Sequence, residues 1–286
     1  MNPFNFQDTV QLQLLANDLR QEVIRILCES KSGHSAGSLG MADVFAVLYF
    51  NVLSYNPKDP AWKDRDRLIL SNGHICPIQY ASMAYAGFFP KTELFTLRKL
   101  GSRLQGHPHT GSLPGIENNG GPLGQGLSQA VGISLVCKLE NKSFRVYCIT
   151  GDGEHNEGQI WEAIETAAKY KLHNLIVIVD RNRIQMDGPT EVVMPLDSLA
   201  EKYAAFGWNV LELDGHNIPG LLQGFEKAKL NKSAPLVIIA NTIPGKDVAF
   251  MENSYDWHGK VPTVEQAQQA LLLLENIHKK IADVKN

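Results

Sequence analysis

The sequence predicts an α/β protein: a parallel sheet sandwiched between helices. Two observations carry this. Along the second half of the chain, strand-like runs alternate with helix-like runs, and the strands "FRVYCIT", "LIVIVD" and "APLVIIAN" are apolar throughout instead of alternating with polar residues. Strands of that kind belong to a sheet whose two faces are both covered, and the intervening helices are the covers.

Each element follows in order. Residues 9–30 place Leu12, Leu15, Leu19, Val23, Ile26 and Leu27 at helical spacing. "SKSGHSAGSLG" then breaks the pattern with small residues. Helices are predicted over 41–53 and 74–86, irregular chain over the Gly- and Pro-rich 101–126, and a helix over 127–140. A strand at 144–150, a helix at 161–171 and a strand at 175–180 come next. A helix around 196–206, the strand "WNVLELD", a helix near 217–230 and the strand "APLVIIAN" complete the sheet, and an amphipathic helix at about 262–281 follows. No internal repeat or linker divides the chain, so a single domain over residues 1–286 is expected.

Composition excludes several function classes. With 44% hydrophobic and 20% charged residues the chain is that of an ordinary globular protein. A net charge of −3 and the lack of any Lys/Arg run argue against a nucleic-acid partner. The longest apolar stretch, "MADVFAVLYFNVL", contains Asp43 and is too short to span a bilayer, and no signal peptide is read at the N-terminus. The four cysteines form no C-x-x-C pair, which fits reduced thiols in the cytoplasm.

The chemistry concentrates at the strand ends. "GDGEHNEG" (151–158) closes one strand and "VDRNRI" closes the next, so Asp152 and Asn182 are expected at neighbouring carboxyl ends, where open parallel sheets bind ligands. Gly151 and Gly153 are expected to let the backbone turn sharply and approach a bulky anion. A carboxylate, an amide oxygen and a nearby main-chain carbonyl make an oxygen set suited to Mg²⁺, which fills its remaining positions with phosphate and water. Two plainer readings compete. A calcium loop starting at Asp152 would need Gly where Glu157 stands and Glu where Ala163 stands. A Gly-rich turn in which Asp152 merely caps a helix explains the first motif but not Asn182.

Three further motifs stand out. "GHSAG" (33–37) satisfies G-x-S-x-G, but the nucleophile elbow of a serine hydrolase needs a strand before it, and helical spacing precedes this one. His34, His74, His107 and His258 each lie beside a glycine, a pattern expected of a polar pocket that binds hydroxyls and moves protons. "GGPLGQG" (120–126) opens a helix without the order of a P-loop or dinucleotide site.

Taken together, "SGHSAGSLG", "DRLILSNGH", "GSRLQGHP", "GGPLGQGLSQAVG", "GDGEHNEGQIWEA", "DRNRIQMDGPT", "AFGWNVLELDGH" and "WHGK" occur in the order found in transketolases. The chain resembles their N-terminal, diphosphate-binding domain along almost its whole length. The resemblance implies a thiamin diphosphate-binding fold, with Asp152, Asn182 and the main-chain carbonyl of Ile184 as ligands of Mg²⁺ (or Ca²⁺ or Mn²⁺). It implies that Gly151, Gly153 and Glu154 shape that site, and that Gly124 and Gln125 lie along the cofactor. It gives Glu157 the role of facing a catalytic Glu from another polypeptide, and His74 a contact to the diphosphate or substrate side. His34, His107 and His258 would surround the reactive carbon and the sugar hydroxyls. Arg181 stands where the signature has the first of two Asn, and Pro244 and Asp247 replace a Lys and a Gly of T-x-K-G-x-G.

The implied activity is transfer of a two-carbon ketol unit from a ketose phosphate to an aldose phosphate through a carbanion on thiamin diphosphate. Complete transketolases continue into a pyrimidine-binding and a C-terminal domain. The resemblance therefore implies the N-terminal subunit of a split transketolase, two copies of each chain forming a heterotetramer. A related thiamin diphosphate enzyme, making deoxyxylulose phosphate or acting on branched or sulfonated sugars, is the alternative.

Overall fold

The computed structural model describes residues 2–196 and 198–283. Helix α1 (Thr9–Ser30) is opened by Asp8, whose carboxylate accepts the Val10 and Gln11 amides, and closed by Lys31 in a left-handed conformation at φ 53°. Short helices α2 (Ala36–Gly40) and α3 (Ala42–Val47) follow, the latter running into a wider turn at Leu48–Val52. Strand β1 is Arg67–Leu70 and helix α4 is Cys76–Tyr85. Residues 101–124 are irregular, as expected, and helix α5 is Gln125–Leu139. Strand β2 (Val146–Gly151), helix α6 (Gly158–Lys169) and strand β3 (Leu175–Arg181) form the centre. A two-stranded hairpin, β4 (Ile184–Gln185) and β5 (Gly188–Pro189), leads to α7 (Thr190–Val193) and α8 (Leu199–Ala205). Strand β6 (Asn209–Asp214), α9 (Ile218–Leu230), β7 (Leu236–Asn241) and α10 (Val264–Asp283) complete the chain. Of the helix expected around 196–206, residue 197 lies outside the described residues.

The main sheet has the order β1-β2-β3-β7-β6 and every pairing in it is parallel. Successive residues of a strand point to opposite faces, and the core divides accordingly. Tyr147, Ile149, Ile176, Ile178 and Ile238 pack with α1, α3, α4 and α9. Cys148, Val177, Val179, Val237 and Ile239 pack with α5, α6 and Trp208. The expected α/β fold with helices on both faces is thus borne out.

Register sets the site. Gly151 pairs with Asp180, Arg181 with Asn241 and Leu70 with Ile149, so the residues leaving β1, β2, β3 and β7 emerge along one edge. Three elements differ from the sequence reading. Strand β1 is four residues long and follows the charged run "DRDR", too short for periodicity to declare it. Residues 36–40, small except for Leu39, form a fully buried helix instead of a break; a Cβ on Gly37 would meet Ile75 at 2.8 Å and one on Gly40 the Ile243 carbonyl at 2.9 Å. The β4–β5 hairpin is too short to show alternation.

Candidate cofactor site

A cleft of about 350 Å³ opens at that edge of the sheet. Asp152 lies at its floor, 1% exposed. Its Oδ1 accepts from the Gly153 amide at 2.7 Å; its Oδ2 accepts from the Arg183 amide at 2.6 Å and from Arg181 Nη1 at 3.1 Å. The capping role of Asp152 is therefore real, at the short turn Gly153–Asn156, but it uses one oxygen only. Burial raises the Asp152 pKa, against the lowering effect of the Arg183 amide and Arg181. Gly151 and Gly153 line the cleft, yet neither has a left-handed φ. The chain does turn here, from β2 through Asp152 into the tight turn Gly153–Asn156, but in backbone conformations open to any residue. Space is what they provide: a Cβ on Gly151 would meet nothing closer than Asn72 at 3.7 Å and would stand in the cleft itself.

Asn182 is held in one orientation. Its Nδ2 donates to Asp180 Oδ2 at 2.8 Å and its Oδ1 accepts from the Ile184 amide at 3.0 Å. Asp180, fully enclosed and also bonded by Thr242 Oγ1, is pushed up to about 7, by burial first and by the neighbouring Asp152 as well. Asp152, Asn182 and Ile184 all line the cleft. Among the described residues no three of His, Cys, Asp or Glu converge on a cation position; the candidate set is one carboxylate, one amide and one main-chain carbonyl.

Glu154 braces the floor. It is 3% exposed, and its carboxylate accepts from Ser71 Oγ, from the Gly124 amide at 2.7 Å and from the Gly151 amide at 3.0 Å. Gly124 caps α5 at φ +82°, and a Cβ there would meet Glu157 Cβ at 2.9 Å, so conformation and space both demand glycine. Glu157 is exposed at the cleft rim. Gln125 does not line the cleft; it is exposed and donates to Gln159 Oε1 at 2.6 Å.

The histidines form the opposite wall. His34, His74 and His258 make a mutual cluster with ring centroids 5.0–5.8 Å apart, and His107 lines the same cleft. Burial lowers all four pKa values, with neighbouring positive groups adding to the effect at His34, His74 and His107; His34 falls to about 4. These imidazoles are neutral at pH 7 and each ring can both give and take a proton.

The wall is held by a strap between β7 and α10. Ile243 N donates to His216 Nε2 at 2.8 Å, so His216 carries its proton on Nδ1, which donates to Asp43 Oδ2 at 2.8 Å. Gly245 N donates to Ala36 O at 2.9 Å, and Ser35 Oγ donates to Lys260 O at 2.6 Å. That buried, committed hydroxyl, reached from helix α1 and not from a strand, removes Ser35 as a hydrolase nucleophile. Asp247 adopts φ +69°, the conformation for which the family pattern has Gly, and lies 3.4 Å from the buried Arg20.

Sequence reasoning missed Asn72, Asp180 and Gln185. Asn72 is 1% exposed, lines the cleft, and neither atom of its amide has a protein partner; Gln185 Nε2 is buried and unpartnered as well. Buried amides of this kind are costly unless a ligand completes them. The open oxygens, the orphaned Asn72 amide and the glycine-lined floor fit a metal–diphosphate group.

A polar cleft with this floor and histidine wall, at the carboxyl edge of a parallel sheet, is the arrangement of a cofactor-binding domain. Residues 12–272 match the family model described as "Transketolase, thiamine diphosphate binding domain", and the chain belongs to the transketolase family. It is 39% identical over 264 residues to an apulose-4-phosphate transketolase subunit from Phocaeicola vulgatus, covering 92% of this chain and 93% of that one. It is 39% identical over 269 residues to the 6-deoxy-6-sulfo-D-fructose transketolase subunit SqwG of Clostridium sp., covering 94% and 98%. The solved transketolase from Leishmania mexicana superimposes with a TM-score of 0.86 at 31% identity, over 95% of this chain and 45% of that one. The chain thus spans nearly all of the relatives named as subunits but less than half of the solved transketolase. The expected transferase of the transketolase class, of the subunit kind, is borne out.

Proposed function

We propose that this chain is the diphosphate-binding subunit of a split transketolase that moves a two-carbon ketol unit from a ketose phosphate to an aldose phosphate. The observation that carries this is the shared cleft: Asp152 and Asn182 on its floor face the His34–His74–His258 cluster on its wall. Asp152, Asn182 and the Ile184 carbonyl hold a divalent metal, Mg²⁺ by the chemistry of an all-oxygen set, and through it the diphosphate. Asn72 and His74 complete the polar surround of that group. Thiamin diphosphate, when bound, supplies a thiazolium that stabilises the carbanion left by carbon–carbon cleavage.

The chain's own residues do the rest. Glu154 fixes the Gly124 loop against the floor. The neutral histidines orient sugar hydroxyls and take or return their protons. Glu157, exposed at the rim, is the group positioned to meet a carboxylic acid from the partner. That partner carries the pyrimidine-binding and C-terminal domains, with two copies of each chain assembling by symmetry. Among the described residues no helix is long and apolar enough to cross a membrane, and free, mostly buried thiols are in keeping with the reducing cytoplasm.

Relatives named for apulose-4-phosphate and for 6-deoxy-6-sulfo-D-fructose are equally similar in identity, which motivates the test. The chain and its partner are assayed with Mg²⁺, thiamin diphosphate and an aldose phosphate against pentulose phosphate, branched and sulfonated ketoses. Ketol transfer from at least one is expected. Tight cofactor binding with no ketol transfer from any of them would overturn the reading.

A further inference from the structure

An ionised carboxylate offers about four lone-pair positions, and at Asp152 the fold has assigned three. The Gly153 amide takes one on Oδ1; the Arg183 amide and Arg181 Nη1 take both on Oδ2. One position, on Oδ1, stays open. Asn182 Oδ1 is similarly reduced to one by the Ile184 amide, and its amide cannot flip because Nδ2 is committed to Asp180.

Arg181 is locked in this task. Its side chain is 6% exposed and that of Asp152 is 2% exposed. Besides Asp152 it bonds Thr190 Oγ1 at 3.1 Å and Glu191 Oε1 at 2.5 Å. It lies behind Asp152 and does not line the cleft, so it acts through the carboxylate and not on a ligand directly.

Resting on the reading of Asp152 and Asn182 as metal ligands, the geometry points to Arg181 as a residue that sets cation selectivity. By taking the position on Oδ2 that the Arg183 amide leaves, it makes Asp152 a one-point ligand. One-point oxygens in a fixed frame suit the small octahedral Mg²⁺ or Mn²⁺. Ca²⁺ takes six to eight oxygens, commonly with two-point carboxylates in a yielding frame, and Arg181 withholds that second point.

The test follows Mn²⁺ bound to the full chain in the presence of thiamin diphosphate, read from the electron paramagnetic resonance signal of the free ion, with Mg²⁺ and Ca²⁺ as competitors. Arg181→Met frees one position on Oδ2, the Arg183 amide keeping the other, and should raise the Ca²⁺-to-Mg²⁺ affinity ratio about tenfold, the lower end of what outer-sphere partners do to metal sites. Arg181→Lys keeps the charge but cannot fork between Asp152, Thr190 and Glu191. It should move the ratio the same way by a smaller factor, and it serves where the Met variant fails to fold. An unchanged or lowered ratio in the folded variant overturns the assignment. Asp152→Ala separates the two levels. If it abolishes Mn²⁺ binding while the Arg181 variants leave the ratio unmoved, only the selectivity role falls; if Mn²⁺ binding survives it, the metal reading falls too.

Discussion

Glu154 Oε1 accepts the amide hydrogen of Gly124 at 2.7 Å, joining the turn after β2 to the loop that opens α5. The same carboxylate holds Ser71 and Gly151, so three chain segments meet on one side chain. Glu154→Ala leaves the buried Gly124 amide, the part-buried Gly151 amide and the Ser71 hydroxyl without their acceptor. At about 1–3 kcal/mol for each buried unsatisfied group, partly offset because a buried carboxylate is removed, the variant should lose on the order of 2 kcal/mol of stability and bind thiamin diphosphate poorly. Urea unfolding checks the first outcome and calorimetry the second; a wild-type midpoint would show that the brace is dispensable.

Asp152→Ala should abolish Mg²⁺-dependent retention of thiamin diphosphate in the assembled enzyme, because the one anionic ligand is gone. The fold should lose stability as well: the cap is worth about 0.5–2 kcal/mol, and the Arg183 amide and buried Arg181 also lose an acceptor, partly offset because a buried charge is removed. Cofactor affinity measured with Mg²⁺ and with EDTA decides the matter: equal values for variant and wild type refute the ligand role.

His155 gives a pH signature. Its Nδ1 donates to Gly151 O and its Nε2 accepts from Tyr203 OH, both at 2.9 Å, so the neutral ring is fully bonded. Burial lowers its pKa to about 4. The unfolded chain therefore binds a proton below about pH 6.5 that the native chain refuses until about pH 4. Stability is full above about pH 6.5 and falls as pH drops through that window, by on the order of 3 kcal/mol from this ring. His155→Gln should flatten the slope between about pH 7 and pH 5. Parallel urea midpoints for variant and wild type across that range would count against it.

The purified chain alone should show no ketol transfer with Mg²⁺, thiamin diphosphate, ketose and aldose phosphates, and addition of the partner should restore it. The exposed Glu157 at the cleft rim motivates this, since the carboxyl groups that line the cleft with it, Asp152, Glu154 and Asp180, are buried and bonded within the chain. Steady turnover by the lone chain, with host transketolase excluded, would refute the split arrangement.

The strand-end motifs were legible because their chemistry is local: Asp152 and Asn182 each follow an apolar strand, and parallel register does the rest. The four histidines were legible from their glycine neighbours, and all four line the cleft. Asn72 was not, since its importance depends on β1, a strand too short to announce itself, lying beside β2. Nor was the duty of Arg181, which depends on which way a buried guanidinium turns. Gly151 and Gly153 stand at the turn expected of them, which the chain makes without a left-handed backbone.

The strap closed by Ser35 and Lys260 ties together residues 225 positions apart, and His34 and His258 meet only because of it. During synthesis, β2 and β3 can pair, and Asp152 can reach its amide donors, long before the strap exists. The histidine wall is finished only after residue 260 has left the ribosome. Such distant closures are slow to form, so the turn around Asp152 is available early, while the histidines of the opposite wall are brought together last.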